Sequence, residues 1–149
     1  MAKFVFRLAT VLNLKLRLEE QQRNAFAEAK RRLDDETDKL NALKQKLLDY
    51  EEEGRTLRSR ALNIKEILEN EEAISFSKNA IEEQKAQVKL FERMLEEERN
   101  KLNECIKERK MYERLKEKAF EEFLEEEKHT EGVENDEHNS YVYGTKEEE

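Results

Sequence analysis

Apolar residues recur along the first part of the chain at alternating spacings of three and four, which is the spacing of a heptad repeat. From Val5 to Leu57 a single frame places apolar residues at most a and d positions. The a positions hold Val5, Leu12, Phe26, Leu33, Leu40 and Leu47, and the d positions hold Leu8, Ala29, Leu43, Tyr50 and Leu57. The exceptions are Lys15, Glu19, Gln22, Glu36 and Gly54. The pattern predicts one long helix whose apolar stripe pairs with another helix.

A second frame begins at Ile74 and predicts a second long helix of the same kind. Its a positions hold Ile74, Ile81, Val88, Leu95, Leu102 and Phe123, and its d positions include Phe91, Cys105, Tyr112 and Ala119. Polar residues again interrupt the stripe, at Ser77, Gln84, Glu98, Arg109 and Lys116. Interruptions of this kind are expected in a coiled coil that bends, opens or admits another helix.

The turn between the helices is predicted from capping residues. In the segment 62–67, Asn63 can cap a helix, Glu66 can reach back to it, and Leu62 can pack on Ile67. We therefore place the turn near 58–62, with helix 1 at about 3–58 and helix 2 at about 63–127. The two helices then form an antiparallel hairpin over residues 1–128. A competing register, with its turn near 72–73, would set Glu36 against Arg109 and Gly54 against Phe91.

The composition agrees with a fold made only of helices. Charged residues make up 44% of the chain, there is no proline, and there are three glycines. Sheets need turns that are rich in glycine and proline, so the composition argues against a compact α/β domain. The predicted fold class is all-α, a long two-helix antiparallel coiled-coil hairpin. From residue 129 to 149 the periodicity stops, and we expect an acidic disordered tail.

The charge is distributed unevenly along the chain. Residues 1–18 contain four basic residues and no acidic ones, whereas residues 121–149 contain twelve acidic residues and two lysines. An antiparallel pairing brings these opposite charges together, which favours it over a parallel dimer. The overall excess of acidic residues argues against binding to nucleic acid, because affinity for phosphate needs clustered cations.

No set of residues indicates catalysis. His129 and His138 lie in the expected tail, and Cys105 occupies a d position, where a thiol packed in the seam is the simplest interpretation. The paired glutamates are typical of a solvated helix face, and a two-helix hairpin offers no deep pocket. We expect no enzyme activity, no cofactor and no metal site.

Recognition of other proteins is the function that the apolar residues favour. The first eighteen residues are too apolar for one helix stripe, so part of them is expected to contact a partner. Tyr50 lies at a d position, where seam packing is the simplest interpretation. Phe76 lies off the stripe near the turn and is a candidate anchor for a partner.

The opening segment 4–15 fits the pattern F-x-F-R-L-x-x-V-L-x-L-[KR] and resembles the flagellar export protein FliJ family. Glu19-Glu20, the segment 25–29 and the segment 74–84 are also similar to that family. The resemblance extends loosely over residues 1–127. It implies a two-helix stalk in the pore of the export ATPase FliI, linked to FliH, to the export gate FlhA and to export chaperones. It also implies a bacterial cytoplasmic location, peripheral to the inner membrane at the flagellar base.

The resemblance suggests two sets of binding residues. Those expected to contact the ATPase ring are Phe4, Phe6, Arg7, Leu8, Val11 and Leu14. Those expected to contact the export gate are Leu43, Leu47, Tyr50, Phe76, Ala80 and Gln84.

Three alternatives remain open from the sequence. The chain could be the equivalent stalk of a virulence-type secretion system. It could be a structural tether in which both helices form one continuous rod that pairs with a second copy. It could also be an adaptor that inserts residues 1–18 into a membrane surface.

Overall fold

The computed structural model describes residues 2–148, with side chains up to Val142. It contains two helices, α1 (Ala9–Ser59) and α2 (Ile64–Glu148), and the part of the chain that it describes has no β-strand. The fold class predicted from the sequence, an all-α hairpin of two long helices, is confirmed. Neither helix, over the described residues, has an apolar stretch sufficient to cross a bilayer.

The hairpin divides into two units, each built from a part of α1 and a part of α2. The first unit combines residues up to 20 with those from 104 onward, and the second comprises residues 21–103. In the second unit Gln22 bonds Glu98 and Glu36 bonds Gln84, so partner numbers fall on α2 as they rise on α1. In the first unit Phe4 packs on Phe120 and Lys15 pairs with Glu108. Within each unit the helices are therefore antiparallel.

Burial along both helices follows the heptad frames. From Leu12 to Leu57 every a and d position is buried or half-buried, and the same spacing holds on α2 from Ile67 to Tyr112. The polar exceptions are part of this seam, since Glu19 and Ser77 are buried. The buried apolar residues along the seam are few among those described: Phe6, Leu12, Leu40 and Ile81. Stability must therefore come from many half-buried contacts distributed along the helices.

The chain reverses direction within residues 60–63, which overlaps the predicted turn. Asn63 caps α2 as its sequence context predicted, because its Oδ1 accepts a hydrogen bond from the Glu66 N–H at 3.4 Å. Leu62 is exposed, so a contact with Ile67 would bury little of it.

The competing register is wrong, because Glu36 bonds Gln84 and Gly54 faces Asn70. The continuous rod is excluded because the helix is interrupted at residues 60–63, where the chain reverses direction.

Helix α1 begins at Ala9 and not at residue 3 as the sequence predicted. Residues 2–8 form a non-helical arm whose last two residues are a turn, and the Ala9 N–H donates to the Phe6 carbonyl at 3.1 Å. Aromatic and β-branched residues favour extended backbone, in which alternate side chains point to opposite sides. Val5 is accordingly 77% exposed, although the heptad frame placed it in the seam, while Phe6 beside it is only 9% exposed.

Helix α2 continues to Glu148, whereas the sequence predicted its end near 127 and a disordered tail from 129. The reason is local. The segment has no proline, and a helix satisfies its own backbone hydrogen bonds without needing a partner. Gly132 faces open space, and every side chain described from Lys128 to Val142 is exposed.

Candidate partner-binding surfaces

The non-helical arm, residues 2–8, is held on α2 by an aromatic cluster. The ring of Phe4 lies 5.2 Å from that of Phe120, at an interplanar angle of 71°, and 5.4 Å from that of Phe123. Edge-to-face contacts of this type add about 0.5–1.5 kcal/mol beyond the burial of apolar area. The arm is thus an ordered part of the first unit.

An open groove of about 550 Å³ lies between the arm and α2. Its floor is apolar, and its rim carries Lys3 and Arg7 from the arm and Glu122 and Glu126 from α2. The basic start and the acidic end of the chain therefore meet here, as the charge distribution suggested.

The structure separates the residues predicted to contact an ATPase ring into two groups. Arg7 and Leu14 are exposed and accessible to a partner, whereas Phe4, Leu8 and Val11 are half-buried and Phe6 is buried. Phe6 is therefore a packing residue of the first unit and is not accessible to a partner. Val5, which the prediction did not include, is also exposed, and the alternation of Phe4, Val5 and Phe6 was a signal of its exposure.

The seam of the first unit contains charged groups that bridge the helices. Arg109 Nε donates to the buried Glu19 carboxylate, and its Nη1 lies 2.8 Å from Glu113 Oε2. Lys15 Nζ lies 2.8 Å from Glu108 Oε2. The hydrogen bond to Glu108 raises the pKa of Lys15, and that to Glu19 raises the pKa of Arg109. Two polar exceptions to the heptad frames, Glu19 and Arg109, thus pair with each other.

The second unit repeats this arrangement with two glutamine–glutamate layers. Gln22 Nε2 donates to the Glu98 carbonyl at 3.1 Å and to its carboxylate at 2.5 Å. Gln84 Nε2 donates in the same way to Glu36, at 3.0 Å and 2.5 Å. These hydrogen bonds hold the pKa values of both carboxylates below their ordinary value. The layers oppose a shift of register, because a shift would break both glutamine–glutamate pairs within the seam.

A third polar layer lies nearer the turn. Asn70 is 5% exposed, and its Nδ2 donates to the Tyr50 carbonyl at 2.8 Å. Its Oδ1 has no hydrogen-bond partner and faces Gly54. A side chain at position 54 would occupy the space that Asn70 fills.

A groove of about 440 Å³ lies beside this layer. It is lined by Leu43, Tyr50, Phe76 and Ala80, four of the six residues predicted to contact an export gate. Phe76 is 76% exposed, which fits an anchor that is available to a partner. Leu47 does not line the groove.

Gln84 does not line it either, since its amide is engaged with Glu36. Residues that the prediction missed include Lys46, Glu69 and Glu72, which also line the groove.

The residues considered for metal or redox chemistry do not line either groove. His129 and His138 are exposed on α2, and Cys105 is a half-buried free thiol in the seam. Among the described residues no group of three or more His, Cys, Asp or Glu side chains could hold a metal ion.

Comparison with known families gives one match. The family model described as flagellar FliJ protein matches residues 4–148, which is almost the whole chain. Neither the curated proteins nor the solved structures that were compared give a match. The match includes the arm from Phe4 onward and both helices. The chain therefore belongs to the flagellar FliJ protein family, whose members are non-catalytic components of the flagellar export apparatus.

Proposed function

We propose that this protein is the stalk and adaptor of the flagellar export apparatus. The first unit binds the ring of the export ATPase FliI, and the groove of the second unit binds the export gate FlhA. FliH and export chaperones are further partners. The protein acts in the bacterial cytoplasm at the inner-membrane face of the flagellar base.

The observation that carries the proposal is the accessible surface of the first unit. The arm exposes Val5 and Arg7 beside an open groove, and α1 exposes Leu14 and Leu18 one helical turn apart. Apolar side chains that are ordered yet exposed, with cations beside them, are typical of a surface that a partner covers. A ring pore would cover several sides of such a unit at once.

The groove of the second unit supports the assignment of a second partner. It combines an exposed aromatic ring, Phe76, with apolar walls and charges at the rim from Lys46, Glu69 and Glu72. A large aromatic residue surrounded by a polar rim is the usual composition of an interaction hot spot.

The test of the ring assignment is ATP hydrolysis and ring assembly by the purified ATPase, with and without this protein. We expect the wild-type protein to raise both. The variant Val5→Glu/Leu14→Glu should lose most of the effect, because it places charges within the contact surface. The matched control is Leu68→Glu/Leu90→Glu, which alters two exposed leucines of α2 in the second unit. If the wild-type protein changed neither hydrolysis nor assembly, the stalk assignment would be wrong.

The gate assignment is tested by binding to the purified cytoplasmic domain of the gate. Phe76→Ala should weaken binding by about tenfold or more, as loss of an aromatic anchor does. Leu68→Ala, at another exposed apolar position of α2, should leave binding unchanged. Equal binding by both variants would remove Phe76 from the contact.

A further inference from the structure

A basic surface on α2, which the functions above do not use, lies within the first unit. Lys107, Lys110, Arg114 and Lys118 follow one another at spacings of three and four, so they share one face of the helix. Met111 and Leu115, 51% and 41% exposed, lie between them. These six residues together line a shallow groove of about 410 Å³. We call them the α2 basic patch.

The cations of the patch form few ion pairs with the described residues. Lys107 Nζ lies 3.3 Å from Glu104 Oε1 on the same helix. The ion pairs formed by the described residues include none to Lys110, Arg114 or Lys118, and all three are exposed. Like charges at these spacings destabilise a helix slightly. In a chain with a net charge of −8, a local cluster of this kind points to an external anionic partner.

The next residues on α2 limit what that partner can be. Glu121, Glu122 and Glu125 follow directly after Lys118 and are exposed. They would repel an extended polyanion such as nucleic acid, and they would repel an anionic bilayer lying along the helix. The patch is about 17 Å long at 1.5 Å per residue, which matches two to three turns of a partner helix. The favoured occupant is a short acidic protein segment.

We propose that the α2 basic patch binds an acidic segment on the inner surface of the ATPase ring, with apolar side chains of that segment seated on Met111 and Leu115. This inference rests on the proposed function and specifies the chemistry of the partner surface. The carboxylates of the partner pair with Lys110, Arg114 and Lys118, which sets orientation and speeds association. The contacts made by Met111 and Leu115 remove apolar surface from water and so stabilise the complex.

The chain itself offers matched controls. Lys110 and Arg114 lie four positions apart on α2, and Lys89 and Arg93, which are also exposed, repeat the same pair in the second unit. Met111 and Leu115 have their counterparts in Leu90 and Met94, which are 44% and 38% exposed. The variants Lys110→Glu/Arg114→Glu and Met111→Ser/Leu115→Ser are therefore compared with Lys89→Glu/Arg93→Glu and Leu90→Ser/Met94→Ser. Circular dichroism establishes that all four retain wild-type helicity.

The measurement is the protein concentration that gives half-maximal stimulation of the purified ATPase, at low and at high salt. Both patch variants should raise this concentration by about tenfold or more, and both controls should leave it within about twofold of the wild type. The wild-type value should rise with salt, and the value for the charge-reversed patch should rise less.

Three results would overturn the inference. One is stimulation by the wild-type protein that both patch variants match, which would leave the proposed function standing and remove only the patch from it. A second is that the patch and control variants need the same increase in protein concentration to reach half-maximal stimulation. A third is that wild-type protein binds anionic vesicles or a DNA duplex through the patch while both patch variants stimulate the ATPase normally. Absence of any stimulation by wild type would instead reject the proposed function.

Discussion

Gly54 on α1 lies so close to Asn70 on α2 that a Cβ atom at position 54 would stand 2.5 Å from Asn70 Oδ1. Asn70 is held in place by its hydrogen bond to the Tyr50 carbonyl, and its Oδ1 is buried without a partner. The glycine, which lies within α1 five residues before its end, is therefore explained by the side chain opposite it. This contact fixes the register of the helices next to the turn.

Gly54→Ala should change the free energy of unfolding in opposite directions depending on residue 70. With Asn70 present, the added methyl group displaces a packed side chain, and we expect a loss of about 1–2 kcal/mol. With Asn70→Ala, the remaining close atom is Arg58 Nη1, 3.0 Å away at the end of a flexible side chain, and the helix preference of alanine should stabilise the protein by about 1 kcal/mol. Urea unfolding of the four proteins of this cycle measures the coupling. Identical effects of Gly54→Ala in both backgrounds would contradict the contact.

The glutamine–glutamate layers predict a loss of stability in acid. The hydrogen bonds from Gln84 and Gln22 lower the pKa values of Glu36 and Glu98 below their ordinary value of 4.5. A carboxyl group with a lower pKa in the folded state stabilises the fold above its unfolded pKa, and this contribution is lost as pH falls through the folded pKa. Between about pH 5 and pH 3 the wild-type protein should therefore lose stability more steeply than Glu36→Gln/Glu98→Gln.

The control for the acid experiment is Glu83→Gln/Glu117→Gln, which removes two exposed carboxylates that make no hydrogen bond or ion pair among the described residues. This variant should follow the wild-type dependence on pH. Melting temperatures are measured as a function of pH. If they fell equally steeply with decreasing pH for all three proteins, the layers would not contribute to the pH dependence of stability.

Arg109 should matter more for stability than a neighbouring arginine. Arg109→Ala leaves the buried carboxylate of Glu19 without its cross-helix cation, which is costly because a buried charge needs a partner. Arg114→Ala removes an exposed arginine of the same helix and is the matched control. We expect the melting temperature to fall clearly for Arg109→Ala and hardly at all for Arg114→Ala. Glu19→Leu/Arg109→Leu should recover much of the loss, since an apolar pair suits the seam.

The arm should open when its aromatic contact is removed. Phe4→Ala deletes the ring that packs on Phe120 and Phe123, a contact worth about 1 kcal/mol beyond burial. Trypsin cleavage after Arg7 should then be about fivefold faster, because cleavage follows the open population. Val5→Ala changes an exposed side chain and should leave the rate unaltered. Equal rates for both variants would mean that the ring contact does not hold the arm.

Much of the fold could be predicted from the sequence because its signals are local. The heptad frames follow from the spacing of apolar residues, and the capping residues around Asn63 gave the position of the turn. The register of the two helices was harder to predict, because Glu36 and Gln84 each appeared as a polar residue interrupting a separate apolar stripe. Their pairing becomes visible only when the two helices are placed side by side.

The remaining differences also have physical causes. The arm was missed because Phe4 and Phe6 fit a helical stripe as well as an extended strand, and only the aromatic cluster with Phe120 decides between them. The α2 basic patch was missed because net charge averages over a segment, whereas Lys110, Arg114 and Lys118 gather on one face. The groove beside Phe76 depends on both helices at once, so the residues taken singly pointed only to Tyr50 and Phe76, and the other predicted positions came from the family resemblance.

The reversal of the chain, on which every surface described above depends, is tested most directly by a distance within the first unit. Spin labels at Thr10 and Lys118, both exposed, are attached after Cys105→Ser. Antiparallel helices pack with their axes about 8–10 Å apart, so we expect the labels to be separated by roughly 30 Å or less. A continuous helix between these positions would separate them by about 160 Å. A measured separation well above about 50 Å would contradict the hairpin and the functions proposed for its two units.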